Sequence, residues 1–291
     1  MKIFRYFIEF ILVIFFFLIF KIIGLKLASN LGEIIGKYLG PLFRKKKIAK
    51  KNILIAFPNL SEKSTDEMID HMWKNIGRIF GEYIHINKFS IIEKKKNKIV
   101  FANKNNVEIL KKNNKPIVFF SGHFANFELM AKCLQELGFN IGAIYRPLNN
   151  IFLNPIMEFI RKEYICPIQI EKGSAGTKKL IKHISTNNPL ALMIDQRLSS
   201  SIRVPFFNQP ATTTTTPAQL AIKYDALLVP VFLKRLEKTN FEFFIEEPLI
   251  INRTNDYDKD IFNITQIMNK KIEEFIKRDS AHWLWSHDRW K

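Results

Sequence analysis

Only two cysteines occur, Cys133 and Cys166, with no CxxC pair and no Cys/His cluster at metal-ligand spacing. That argues against a disulfide framework or a structural zinc site, and fits a reducing, cytoplasm-facing location with both thiols in the core. No serine or cysteine sits in a GxSxG elbow, which disfavours a covalent intermediate on the protein. Internal repeats are absent, and glycine and alanine are sparse beside Ile, Phe, Lys and Asn, a bias of genome composition rather than of function. Acidic residues are also short: 27 Asp+Glu stand against 45 Lys+Arg, a net charge of +18. Solubility needs far less, so an anionic partner is implied, with nucleic acid, an anionic membrane and an acidic carrier protein all qualifying. A chain of 291 residues, 47% hydrophobic, has room for one sizeable domain plus an appendage.

The appendage is at the N-terminus. From Tyr6 to Leu25 the chain is apolar except for Glu9 and Lys21, long enough to span a bilayer core. Because both charges lie near the ends, a tilted span and an embedded interfacial helix both fit. A cleaved signal peptide is the competing reading, but no small-x-small site follows directly. Lys2 and Arg5 precede the segment, whereas Lys26, Lys37, Arg44, Lys45, Lys46, Lys47, Lys50 and Lys51 follow it, which puts the main body in the cytoplasm. The cluster Arg44 to Lys51, set among Leu42, Phe43, Ile48 and Ile53, suits anionic headgroups. A nucleic-acid patch is the rival reading of those lysines, and the apolar segment before them counts against it.

Residues 1–28 are therefore expected as a membrane-anchoring helix, 29–98 as a helical, basic, membrane-proximal region, and 99–291 as the catalytic domain. In the second region a capping box, Ser64-Thr65-Asp66-Glu67, precedes Met68, Met72, Trp73, Ile76, Ile79, Phe80 and Tyr83 at helical spacing, and Phe57-Pro58-Asn59 reads as a turn. Beyond Ile99, strands are expected at Ile117 to Phe120, Ile141 to Tyr145, Leu190 to Ile194 and Leu227 to Leu233. Helices are expected at Asn126 to Leu137, Pro155 to Glu163, Gly176 to Thr186, Pro217 to Tyr224 and Ile261 to Arg278. Such alternation predicts an α/β domain with a largely parallel sheet flanked by helices. Thr212 to Thr216 reads as a polar loop lining a site.

The sharpest feature is Ser121-Gly122-His123-Phe124-Ala125-Asn126-Phe127-Glu128, at a strand end where a helix begins, the edge at which parallel sheets gather ligands. His123 and Glu128 cannot share one helix face at this spacing. His123 is thus expected in the turn, with Glu128 in the first turns of the helix reaching back to orient it. A neutral imidazole with a fixed proton can take a proton from a hydroxyl that attacks a carbonyl. Spacing alone leaves open a satisfied loop histidine.

The stretch GHFANFE resembles the His-x4-Glu motif of the lipid A (lauroyl/myristoyl) acyltransferases, within the glycerolipid acyltransferase superfamily. Further stretches resemble that family in order: Asn52-Ile53-Leu54 with Ala56-Phe57-Pro58-Asn59-Leu60-Ser61, Trp73-Lys74-Asn75-Ile76-Gly77-Arg78, Tyr145-Arg146-Pro147 with Asn149-Asn150, Asp195-Gln196, Val204-Pro205-Phe206-Phe207, and Trp283 through Lys291. The resemblance implies a glycerolipid-acyltransferase-like fold on the cytoplasmic face of a bacterial inner membrane. The implied reaction moves a fatty acyl chain from acyl carrier protein to a hydroxyl of a Kdo-lipid A precursor, without cofactor, metal or nucleic acid. By motif position it implies His123 as general base and Glu128 as its partner, with Arg146, Arg161 and Asp195 in the site. Without the resemblance, Arg161 reads equally as a solvated helix residue and Asp195 as a cap or turn, while Arg289 either binds an anion or closes the fold. The chain departs from the family at Phe127, where relatives often carry Trp, and at Asn208, where they often carry Gly. These residues and the uniform threonine tract are expected near the acyl or acceptor groove, where they bear on chain-length preference. Another glycolipid acceptor, a membrane-tethered thioesterase and a basic binding module are the competing functions.

Overall fold

The computed structural model describes every residue except 44–45, 94–96, 198–200 and 255, so Arg44 and Lys45 of the basic cluster lie outside the described residues. Three helices come first: α1 (Lys2–Phe43), α2 (Lys46–Ala56) and α3 (Glu62–Tyr83). α1 runs well past residue 28, interrupted by non-helical Gly24 (φ 78°). The Phe57-Pro58-Asn59 segment does separate α2 from α3. α3 begins a turn earlier than the capping box predicts, because Ser61 is the cap: its hydroxyl accepts from Ser64 N at 3.1 Å, and Thr65 Oγ1 donates to Ser61 O.

The second half of α1 packs on α3 through glycine. A Cβ on Gly36 would sit 2.2 Å from the Trp73 carbonyl oxygen, and one on Gly77 would sit 2.7 Å from Gly36 Cα. The two backbones can approach this closely only without side chains between them.

The sheet is mixed and mostly parallel, and its first strands precede residue 99. Its strands are β1 (Phe89–Ser90), β2 (Asn97–Phe101), β3 (Ile117–Ser121), β4 (Gly142–Tyr145), β5 (Ile168–Glu171), β6 (Leu190–Met193), β9 (Leu227–Arg235) and β10 (Phe241–Ile245), in spatial order β1-β2-β10-β9-β3-β6-β4-β5. Among the described residues of this sheet, only the β9–β10 pairing is antiparallel. β7 (Ile202–Phe206) and β8 (Gln209–Thr213) form a separate hairpin. Thr212 and Thr213 thus belong to a strand, not the expected loop. Phe207 and Asn208 make its two-residue turn, both at positive φ (48° and 58°), a conformation glycine adopts without strain.

Helices α4 (Lys104–Lys112), α5 (Glu128–Glu136), α6 (Asn154–Tyr164), α7 (Ser174–Ser185), α8 (Thr216–Tyr224) and α9 (Tyr257–Arg278) flank the sheet. Two cores result. Phe119, Val229 and Val231 on one sheet face pack with α5 and α1, whereas Val118, Phe120 and Leu228 on the other pack with α8, α9 and the C-terminal tryptophans. Cys133 and Cys166 are free and buried, as core residues should be, and burial raises both thiol pKa values.

Candidate active site

Strand register builds the centre of the site. β3 and β6 are parallel neighbours with Ser121 opposite Met193, so His123 and Asp195 both lie two residues beyond the paired ends. There His123 Nδ1 is 2.7 Å from Asp195 Oδ1, and the His123 backbone N–H donates to Asp195 Oδ2 at 2.7 Å. Trp283 Nε1 donates to the same oxygen at 2.8 Å. Gly122 makes this approach possible, since a Cβ there would meet Asp195 Oδ2 at 3.0 Å and the Phe124 ring at 2.8 Å. Burial alone would raise the Asp195 pKa, but the His123 imidazole, the His123 hydrogen bonds and the Trp283 indole outweigh it and hold it at about 2. A carboxylate that only accepts places the ring proton on Nδ1 and makes Nε2 the accepting nitrogen. Gln196 Nε2 lies 3.3 Å from Nε2, and the Phe127 ring meets the imidazole edge-on, centroids 4.8 Å apart.

Glu128, expected to reach back to His123, instead meets Arg161. Glu128 is the first residue of α5, two positions later than the predicted helix start, and its carboxylate is taken by Arg161 of α6. Arg161 Nε lies 3.2 Å from both Glu128 oxygens, and Arg161 Nη2 donates to Oε1 at 2.5 Å. Burial would lower the Arg161 pKa, but Glu128 reverses this and raises it. Arg161 is therefore no solvated face residue; its guanidinium also lies over the Tyr145 ring, 5.6 Å from the centroid. The orienting contact passes to Asp195 because adjacent parallel strands deliver it in register, whereas the turn and α5 send Glu128 toward α6.

The turn between is pinned on both sides. Ala125 has φ 45°, an uncommon value for a residue with a Cβ, and its N–H donates to His282 O at 3.0 Å. Asn75 Nδ2 donates to Ala125 O at 3.1 Å, and Asn126 Nδ2 to Glu82 Oε2 at 2.9 Å. Glu82 is fully buried and held by Arg235 Nη1 at 2.6 Å and Nη2 at 3.0 Å; Ser29 of α1 donates to it at 2.8 Å.

Beside His123 opens a cavity of about 350 Å³. Small side chains on one sheet face, Ala143 and Ala191, face Ala131 of α5 and leave the space, while Phe119, Met130, Leu134, Ile165 and Val231 give it apolar walls. His123, Glu128, Arg146, Arg161, Lys172 and Gln196 line it as well.

A family model for bacterial lipid A biosynthesis acyltransferases matches residues 1–291. This chain belongs to that family. Relatives include a lipid A biosynthesis acyltransferase of Haemophilus influenzae, 21% identical over 94% of this chain and 84% of that protein. A lipid A biosynthesis palmitoleoyltransferase of Escherichia coli is 25% identical over 90% of this chain and 84% of that protein. Among solved structures, the 1-acyl-sn-glycerophosphate acyltransferase of Thermotoga maritima aligns over 86% of this chain and 98% of that one at 10% identity, with a TM-score of 0.36.

In this acyltransferase, then, all five predicted residues meet around one space: His123, Glu128, Arg146 and Arg161 line the cavity, and Asp195 stands behind His123. Arg146 is exposed at its edge. Lys172, Gln196, Phe127 and Trp283 join them without having been singled out as site residues; Gln196 and Trp283 stood in the motif stretches, but Lys172 carried no sequence signal. Partial burial lowers the Lys172 pKa and Arg146 adds to the effect, against the opposing charge of Asp195. Arg289 closes the fold: it is fully buried, bonded to Thr212 O and, at 2.7 Å, to Thr213 Oγ1, and burial lowers its pKa to about 10. Asn208 lies in the hairpin turn beside α9, where Phe207 N donates to Glu273 Oε1, outside the residues lining the cavity.

Proposed function

We propose that this acyltransferase moves a fatty acyl chain from an acyl carrier protein thioester to a hydroxyl of a Kdo-bearing lipid A precursor, at the cytoplasmic face of the inner membrane. The observation that carries the reading is a carboxylate-oriented imidazole whose unprotonated nitrogen adjoins an apolar cavity. His123 Nε2 takes the proton of the acceptor hydroxyl as its oxygen bonds to the thioester carbonyl carbon. Collapse of that adduct breaks the C–S bond, and the departing thiolate recovers the proton from His123. Asp195 holds the Nδ1–H and stabilises the imidazolium formed in between. Apolar walls house the acyl tail, with the Glu128–Arg161 pair forming a fixed polar edge. Arg146 and Lys172 meet acceptor phosphate, and the basic surface attracts the acidic carrier protein.

The test is transfer from a series of acyl carrier protein thioesters onto a tetra-acylated, Kdo-bearing precursor, in membranes containing wild type or His123→Ala. A product heavier by one acyl chain, at least a hundredfold slower to form with the variant, is the expected outcome. His123→Ala within a few-fold of wild type would remove His123 as the base. No product with any donor would move the acceptor to another glycolipid, or to water.

A further inference from the structure

Among the described helices α1 alone is long and apolar enough to cross a bilayer, yet one of its sides is already occupied by protein. Tyr6, Phe17 and Phe20 are buried. Asn150 Nδ2 donates to Tyr6 O at 2.8 Å and to Glu9 Oε2 at 3.2 Å, and the Phe152 ring packs on Phe7 and Phe10 at 5.7 and 5.9 Å. Farther along, Phe80 of α3 meets Phe16, Phe17 and Phe20 at 6.0, 5.6 and 5.3 Å, and the His85 ring meets the Phe20 carbonyl at 2.7 Å. From Tyr6 to Phe20 is about 21 Å of helix, and the rest of the protein accompanies both ends of it.

The opposite side has no protein on it. Phe4, Ile8, Ile11, Phe15, Leu18 and Ile22 recur at three- and four-residue spacing, and all are between 44% and 83% exposed. A helix crossing the bilayer by itself meets lipid around its circumference, whereas crossing here would carry Glu9, Asn150 and the adjoining protein wall into hydrocarbon. A helix lying in the interface buries one face in lipid and turns the other away. Lys2, Arg5, Lys21 and Lys26 at its two ends suit the anionic headgroups of the leaflet it would occupy.

The geometry points to α1 lying in the plane of one anionic leaflet without crossing the bilayer, so that the N-terminus and the catalytic domain share one side. This rests on the membrane association proposed above and specifies its form. Asn150, which holds the helix, follows Arg146 on the segment leaving β4, so the cavity edge lies close to the embedded helix. Lipid can then reach His123 from within the leaflet.

Nitroxide labels on Phe4→Cys, Ile11→Cys, Phe15→Cys and Ile22→Cys of the full chain, in phosphatidylethanolamine/phosphatidylglycerol vesicles, test this by immersion depth. Both native cysteines are buried and leave the background clear. An in-plane helix places all four labels at one depth within a few ångströms, whereas a span makes depth advance by about 1.5 Å per residue, about 27 Å across the set. A graded depth overturns the proposal. In sealed vesicles of one orientation, Lys2→Cys and the exposed Lys259→Cys should react with an impermeant maleimide from the same side; opposite sides overturn it. Water exposure at all four labels would overturn it together with membrane association, whereas transfer onto detergent-dispersed acceptor reports on the chemistry separately.

Discussion

Asp195→Asn changes one oxygen for an NH2 and keeps the shape of the side chain. In wild type the two carboxylate oxygens accept from three donors, the His123 backbone, the His123 ring and the Trp283 indole. An asparagine has one accepting oxygen. With that oxygen facing His123 N and Trp283 Nε1, its NH2 faces His123 Nδ1, which must then accept, and the imidazole proton moves to Nε2. The nitrogen beside the cavity loses its lone pair. Catalytic triads that suffer this tautomer reversal lose about 10⁴ in kcat, and a loss of roughly 10³ to 10⁴ is expected here, about 4 to 5.5 kcal/mol of barrier. KM should change little, because Asp195 stands behind His123. The variant also tests stability. The Asp195 pKa is held at about 2 against an ordinary 3.8, so the ionised group adds on the order of 2 kcal/mol that is complete above pH 4 and lost as pH falls toward 2. Transfer rates and acid unfolding of Asp195→Asn, measured beside Glu128→Gln, decide the matter. Asp195→Asn within tenfold of wild type, with Glu128→Gln inactive but folded, would refute the tautomer argument and return the orienting role to Glu128.

Glu82→Gln leaves the Arg235 guanidinium, only 4% exposed, without its counter-charge, and a cost of about 3 to 5 kcal/mol is expected from the denaturant midpoint in detergent. Gly36→Ala forces a Cβ to 2.2 Å from the Trp73 carbonyl, backbone against backbone, so α1 must shift from α3; thermal unfolding should show a loss of about 1 to 3 kcal/mol. An unchanged midpoint for Gly36→Ala would mean that the two helices pack less closely than described.

Apolar runs and helical spacing made the central strands and helices α5 to α9 legible, helped by β3 and β9 being buried on both faces, whereas α4 escaped. Strands with weaker signatures escaped. β7 and β8 contain Pro205 and Pro210, which lack the ladder donor, and the turn joining them uses Phe207 and Asn208 where a hairpin signal would need glycine. β5 is four residues long. Within the site, the His123 turn was visible as a strand end, and Asp195 as another. Which carboxylate faces the imidazole was not, since that depends on strands β3 and β6 being neighbours in register, a pairing between segments some seventy residues apart that no local pattern encodes. Lys172 was hidden for the opposite reason: its position at the cavity comes from β5, which was not recognised.

The clamp on the His123 turn has a consequence for folding kinetics. Asp195 accepts from residues 123 and 283, and Ala125 donates to His282, so the imidazole is fixed only when segments 160 residues apart have met. Contacts of such sequence separation incur their loop-closure entropy before they are rewarded, and they form late. During refolding, sheet and helix signals should therefore rise ahead of transfer activity, and activity becomes a reporter of the final closure of the chain.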